Sequence, residues 1–311
     1  MTQLQVWPRI AVVGAGAVGG YFGGMFVRAG APVVFIGRRH FVDAVNSKGL
    51  VLDKAQSRER IRAKATSEMS AVRDCPLILF CVKANNTSET ARQMAPFLRP
   101  DTTVVCLQNG VDNADRVRAV ANVAVLSAAV YVAVSMPESG RVKHLARGDL
   151  IIGPPSERTT EVADVFIRAS ISCRISDNIE GELWLKLLCN CALNAMSALG
   201  NTRYGEIAQN ADAKLLMEHI VDEVLAVAQA DGVVLPGIRD RESGMAAAME
   251  IATQMADALS STAQDLNRGR PTEIDALNGY VSSRGAELGI QVPVNHALFT
   301  LVKLAEQRGG S

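Results

Sequence analysis

The run RIAVVGAGAVGGYFGG (9–24) constrains what this chain can become more than any other stretch. A β-branched segment over 9–14 ends in glycines, and a helix candidate follows them to about Ala29. PVVFIG (32–37), LILFCV (77–82) and TVVCLQ (103–108) are strand-like again, with helical material between the last two and after them. Strand, helix and strand in that rhythm predict a parallel sheet covered on both faces. From about Ala121 to Gly153, strands follow one another without helices. There RVKHLARGDLIIG, with Gly148-Asp149 at its centre, reads as a hairpin closing the sheet edge.

Gly14, Ala15, Gly16, Ala17, Val18 and Gly19 satisfy G-x-G-x-x-G, directly after a strand and at the start of a helix. In that setting the pattern reads as a dinucleotide site, the bland reading being a glycine-rich turn without ligand. Gly14 permits the tight turn, Gly16 admits a pyrophosphate close to the backbone, and Gly19 lets helix pack on strand. The helix start then offers unpaired N–H groups to the phosphates. An NAD site usually carries an acid at the end of the second strand, for the ribose 2′-hydroxyl. This chain has Gly37-Arg38-Arg39 instead, with no acid before Asp43. A guanidinium suits a 2′-phosphate, so NADP(H) is the expected cofactor and Arg38 its main reader, the bland reading being a solvated basic turn. Whether Arg39 shares that contact is left open.

Past Ile175 the β signal stops. Segments 181–199, 212–230, 240–258, 273–288 and 295–307 carry helical spacing. The expected fold class is α/β, with a Rossmann-type NADP-binding domain over 1–178 and an all-α substrate and catalytic domain over 179–311. No low-complexity linker divides them, which predicts tight packing around a shared cleft.

Within the first helical segment, GELWLKLLCNCALNAMSALG (181–200), a polar line runs through apolar surroundings. Lys186, Asn190 and Asn194 are each four residues apart and Ser197 follows three later, so all share one face. A surface helix would show a broad polar face, and a wholly buried one would avoid lysine. A narrow stripe fits the wall of a polar cavity. The bland reading is a lysine that reaches solvent past two asparagines bonded to neighbouring backbone. Lys83 and Asn109 stand just beyond strand ends, where ligands bind in such sheets. Spacing alone leaves them equally open to being a solvated lysine and a turn asparagine.

The balance of charge excludes other classes. With 32 acidic and 32 basic residues and no long run of either sign, the chain is not expected to bind nucleic acid. No uninterrupted apolar segment approaches the ~20 residues of a bilayer span. MTQLQVWPRI lacks the basic and apolar parts of a signal peptide. Six cysteines in apolar runs, without C-x-x-C spacing, read as free thiols in a reducing cytoplasm. The four histidines are scattered, so no metal is expected. A homodimer stays open, since the long apolar helices offer an interface without marking one.

The motifs GELWLKLLCNCALN, the V-K-A-x-x-T of Val82 to Thr87, LQNG, SSTAQDLNRGRPTEIDALNG (260–279) and VPVNHALFTLVK occur in this order along the chain. Together they resemble the ketopantoate reductase family over essentially its whole length. The resemblance implies NADPH-dependent reduction of 2-dehydropantoate to pantoate, a step toward pantothenate and coenzyme A. It implies Lys186 as proton donor to the carbonyl oxygen, Asn190 and Asn194 on the substrate hydroxyl, and Ser261 on its carboxylate. Glu273 would lie near the lysine and the nicotinamide ribose. Lys83 and Asn109 would touch the cofactor, with Asn109 also near substrate. By residue type alone, Glu273 after Pro271-Thr272 is equally a helix start, and Ser261 a cap. Ala195 stands where the family often has proline, and MSALGN departs from its usual threonine-containing run. These departures bear on the substrate more than on the chemistry. The alternatives are a reductase of another 2-oxo acid and a non-catalytic NADP(H)-binding regulator.

Overall fold

The computed structural model describes residues 6–54 and 57–308. Met1–Gln5, half of the stretch read for a signal peptide, lie outside the described residues. The chain divides into two compact units, Met1–Gln108 with Asp112–Ile179, and Asn109–Val111 with Glu180–Ser311.

In the first unit, β1 (Ile10–Val13), β2 (Val33–Ile36), β5 (Lys64–Thr66), β6 (Leu77–Phe80) and β7 (Thr103–Cys106) are parallel neighbours, joined by the start of β8 (Ala124–Glu138). Their order, β5-β2-β1-β6-β7-β8, is that of a dinucleotide-binding sheet, reversing direction between β1 and β6. Helices α1 (Ala17–Arg28), α2 (Arg39–Lys48), α3 (Thr87–Met94), α4 (Asn113–Arg118) and α5 (Glu157–Arg168) belong to the same unit. β1, β6 and β7 are buried throughout, which is why they are continuous apolar runs rather than alternating ones.

Beyond β8 the sheet departs from the expected edge. β9 (Arg141–Gly153) is one long strand antiparallel to β8, and the turn between them is Ser139-Gly140. Gly148 marks a bulge and not a turn. Tyr131 faces Asp149 and Val132 faces Arg147, so Gly148 is the extra residue, at φ +133° and with Tyr21 where its Cβ would stand. Nor is β9 an edge. β10 (Cys173–Ile175) and β3 (Leu50–Lys54) both pair with it in parallel, and β4 (Ser57–Ile61) pairs with β3. The β3–β4 hairpin was not legible in sequence, because SRERI carries charges where a buried strand would be apolar. Arg141 clamps the β3 end by donating to Asp53 Oδ2, which holds that carboxyl below its usual range.

This arrangement surrounds α1. Its residues from Gly19 to Phe26 are all buried, against β1 and β2 on one side and against β3 and the β8–β9 hairpin on another. A Cβ at Gly23 would meet the Phe35 ring and Val12 Cγ2, and one at Gly20 would stand 2.7 Å from Val142. Four glycines cost the helix about 1 kcal/mol each in propensity, and the close approach of strands on both sides offsets it.

In the second unit, α6 (Ile179–Gly200) is the central helix. Trp184, Leu187, Leu188, Cys191, Ala192 and Leu193 are buried among residues of α8 (Ala211–Ala230), α9 (Arg241–Gln254), α11 (Asn278–Leu288) and α12 (Pro293–Arg308). By length and composition α6 would pass for a bilayer span, against the expectation above, and 61% of its apolar window is buried inside the structure. Two six-residue helices, α7 (Tyr204–Gln209) and α10 (Ser261–Leu266), are too short to show a period in sequence. The expected 240–258 helix stops at Gln254, where Ala256 and Ala258 turn their carbonyls to the N–H groups of Gly205 and Tyr204. The expected 273–288 helix breaks into a turn over Ile274–Ala276 and α11, at Leu277.

Gly23→Ala tests the close packing of α1. The propensity gain of about 1 kcal/mol is outweighed by overpacking worth about 1–3 kcal/mol. Chemical denaturation should show a less stable protein, whereas a gain would mean that the strands can yield.

Candidate active site

Three side chains of the second unit converge. Lys186, half-buried on α6, donates from Nζ to Asn109 Oδ1 at 2.9 Å. Asn109 Nδ2 donates to Glu273 Oε2 at 3.1 Å. The carboxamide thus lies between ammonium and carboxylate with each end facing its matching charge. Val111, two residues on, packs against the helical core. Glu273 has a rigid neighbour. Thr272 is buried, its hydroxyl and N–H both donate to Glu306 Oε1 on α12 at 2.6 and 2.7 Å, and it accepts from Ile274 N at 3.2 Å. Burial raises the Glu306 pKa, yet bonds from Lys303 and Thr272 outweigh it and hold the carboxyl below its ordinary value. This anchor was missed in sequence, where Thr272 and Glu306 are 34 residues apart.

The polar line on α6 divides in two. Asn190 is half-buried one turn from Lys186. Asn194 and Ser197 are buried and serve the helix packing. Tyr204 on α7 donates its hydroxyl to Asn194 Oδ1 at 2.7 Å. Ser197 Oγ donates to Thr202 O at 2.8 Å and accepts from Ser260 N at 3.0 Å. Ser260 Oγ in turn donates to Asn194 O at 3.1 Å and accepts from Ala263 N at 2.9 Å. Ser260 is therefore the cap of α10, and Ser261 is its exposed first residue.

In the first unit, each glycine of the motif has its own reason. Gly14 sits at φ +93°, and a Cβ there would stand 2.5 Å from Val82 N. A Cβ at Gly19 would collide with Gly14 O and lie 2.9 Å from Val12 Cγ1. At Gly16 a Cβ would meet no protein atom within 4 Å. The protein's own packing demands glycine at 14 and 19 and not at 16. Gly16 is exposed, Ala15 is buried, and Ala17 and Val18 are half-buried. No side chain caps α1 and no acid stands in its first turn. Its start therefore suits an anion such as a pyrophosphate.

Arg38 caps the start of α2, is exposed, and its guanidinium has no partner among the described residues. Arg39 is 93% exposed and 4.0 Å from Asp43. Lys83 is exposed where the chain leaves β6. The six cysteines are unpaired. Burial pushes the thiols of Cys106, Cys173 and Cys189 up to about 12. No group of three metal-binding side chains occurs among the described residues.

Comparison with known proteins agrees with this architecture. Residues 10–157 match the family model described as ketopantoate reductase PanE/ApbA, and residues 178–306 match that of its C-terminal domain. A 2-dehydropantoate 2-reductase of Mesorhizobium japonicum is 30% identical over 331 aligned residues, covering 97% of this chain and 99% of that protein. The solved structure of a PanE/ApbA family ketopantoate reductase from Ralstonia eutropha JMP134 is 42% identical, with a TM-score of 0.91, and covers 97% of this chain and all of that one. A D-mandelate dehydrogenase solved with NADH and anilino(oxo)acetate, 24% identical over 97% of this chain and all of that one, shares the fold at a TM-score of 0.90. A Rossmann-type sheet followed by a helical domain defines a two-domain α/β protein of the nucleotide-binding class. The chain belongs to the ketopantoate reductase family.

Ser197→Ala tests the lower half of the stripe. It leaves the buried Ser260 N–H without its acceptor, which costs about 1–3 kcal/mol, and denaturant unfolding should register that loss. An unchanged midpoint would mean that the network contributes nothing to stability.

Proposed function

We propose that the chain is an NADPH-dependent reductase that converts 2-dehydropantoate to pantoate. The observation that carries this reading is the Lys186–Asn109–Glu273 chain of hydrogen bonds. Reduction of a ketone builds negative charge on its oxygen, and a positioned ammonium both stabilises that charge and supplies a proton. Lys186 Nζ is that ammonium. It gives one proton to the carbonyl oxygen as a hydride reaches the carbon, so that a 2-oxo acid becomes a 2-hydroxy acid and the lysine is left neutral until it regains a proton. Asn109 holds the ammonium in place through Oδ1, and Glu273, reached through Nδ2, favours its charged state. Asn190 and Asn194 take the substrate hydroxyl, and Ser261 its carboxylate.

Bound NADPH supplies the hydride. Residues 1–178 form its domain, with Gly14 to Gly19 and the start of α1 at the pyrophosphate, Arg38 at the 2′-phosphate, and Lys83, Asn109 and Glu273 also in contact with it. The open space at Gly16 supports the first of these assignments, and the unpaired guanidinium of Arg38 the second. Residues 179–311 carry the substrate site and the proton donor. Six unpaired thiols, four of them buried, support a cytoplasmic location.

The test is the loss of NADPH absorbance with 2-dehydropantoate. Lys186→Ala should lower kcat on the order of 10²–10⁴-fold, the range for loss of a general acid. Turnover retained in that variant would remove Lys186 from the chemistry. Binding of NADPH with no turnover of any 2-oxo acid by the wild type would favour a regulator.

Two cofactor variants are independent of that outcome. Gly16→Ser keeps a good cap residue, so unfolding should hardly change while NADPH affinity drops at least about tenfold, the equivalent of 1.4 kcal/mol. Arg38→Ala should cut the preference for NADPH over NADH by about tenfold or more, since a charge-assisted bond contributes about 1.5–3 kcal/mol. An unchanged preference would assign the 2′-phosphate elsewhere.

A further inference from the structure

Asn194 has a carboxamide that can face a ligand with either end, as donor or as acceptor. Which end is available depends on Tyr204. The Tyr204 hydroxyl lies 2.7 Å from Asn194 Oδ1 in a region where the two residues are 7% and 2% exposed. Among the described residues the phenol has no other polar partner. If Asn194 turned its Nδ2 toward Tyr204, the phenol would accept that bond and its own O–H would be a buried donor without an acceptor, at a cost of about 1–3 kcal/mol. Donation to Oδ1 removes that cost, so the phenol selects one of the two carboxamide orientations. Burial raises the Tyr204 pKa well above its ordinary value, so the phenol keeps its proton.

The parts on either side are held as well. Tyr204 N donates to Ala258 O at 3.1 Å, and Glu206 Oε2 accepts from Arg203 N and from Thr202 Oγ1 at 2.8 and 2.6 Å. On the other side, Ser260 Oγ binds the main-chain carbonyl of Asn194. The backbone that carries the ring and the backbone that carries the carboxamide are thus both held. Asn194 Nδ2, by contrast, donates to no group among the described residues.

We infer that Tyr204 is a specificity-determining positioning residue, which locks the Asn194 side chain so that it offers the substrate a hydrogen-bond donor and no acceptor. The inference rests on the reading of Asn194 as a substrate contact. The substrate group at this position is then one that accepts a hydrogen bond, here the oxygen of the hydroxyl. A methyl or hydrogen in its place leaves the Nδ2 donor unpaired.

Tyr204→Phe keeps the ring and removes only the lock. Its steady-state kinetics should be measured with 2-dehydropantoate and with the same 2-oxo acid whose hydroxyl is replaced by hydrogen. KM for 2-dehydropantoate should rise about three- to tenfold, the worth of one neutral hydrogen bond. The expected kcat is nearly unchanged, the hydrogen-substituted acid is reduced as before, and NADPH binds as before. The preference for the hydroxyl then falls by the same factor. Asn194→Ala should lower that preference by itself, with Asn190 holding what remains, which keeps the inference testable should Tyr204→Phe fold poorly. An equal effect of Tyr204→Phe on both acids, no effect on either, or a preference unchanged in Asn194→Ala would overturn it. Failure of the proposed activity has a different signature, because the wild type would then reduce neither acid, and the inference would fall with it.

Discussion

A helix buried on most sides can carry lysine, two asparagines and a serine on one face only if their polar atoms find partners or an opening. Unpaired polar groups in such a place cost several times what a surface contact contributes. Much of the second unit is arranged around that constraint. Lys186 is met by Asn109, Asn194 by Tyr204, and Ser197 by Thr202 and Ser260. The short helices α7 and α10 bring several of those partners to α6. They form where their backbone and caps can be satisfied, not where an apolar period is long.

The first unit obeys a steric constraint instead. Its glycines serve three separate ends: a positive φ at Gly14, backbone contact at Gly19, and open space at Gly16. The same economy of side-chain volume runs on through α1, where Gly20, Gly23 and Gly24 admit strands from two directions. Once β3 and the β8–β9 hairpin fold over it, α1 has little surface left for polar residues. YFGGMFV is apolar in consequence.

Legibility followed the length and regularity of each signal. Strands β1, β2, β6 and β7 were readable because each is a short continuous apolar or β-branched run. The long helices α6, α8 and α12 were readable by their period. Gly148-Asp149 misled, because a glycine–acid pair that usually makes a turn here makes a bulge, and Ser139-Gly140 turns the chain instead. Of the candidate site, the helical stripe was visible from spacing. Its bland reading was a lysine reaching solvent past two asparagines bonded to neighbouring backbone, but Asn194 meets the side chain of Tyr204 and Lys186 the carboxamide of Asn109, 77 residues away.

Sequence alone determined the alternation of β1, α1, β2, β6 and β7 and the helical character of the second half, the glycine motif and its place between β1 and α1, the family, and the shared face of Lys186, Asn190 and Asn194. All of these are local: they depend on residues within a few turns of one another, or on motifs that keep their order along the chain. Tertiary structure decided which polar atoms pair. It brought Asn109 between Lys186 and Glu273, made Ser260 the cap with Ser261 beside it, and set Tyr204 on the Asn194 oxygen. A hydrogen bond is specified to a few tenths of an ångström and in direction. Residue spacing along a chain fixes neither, and only the packing of distant segments supplies both.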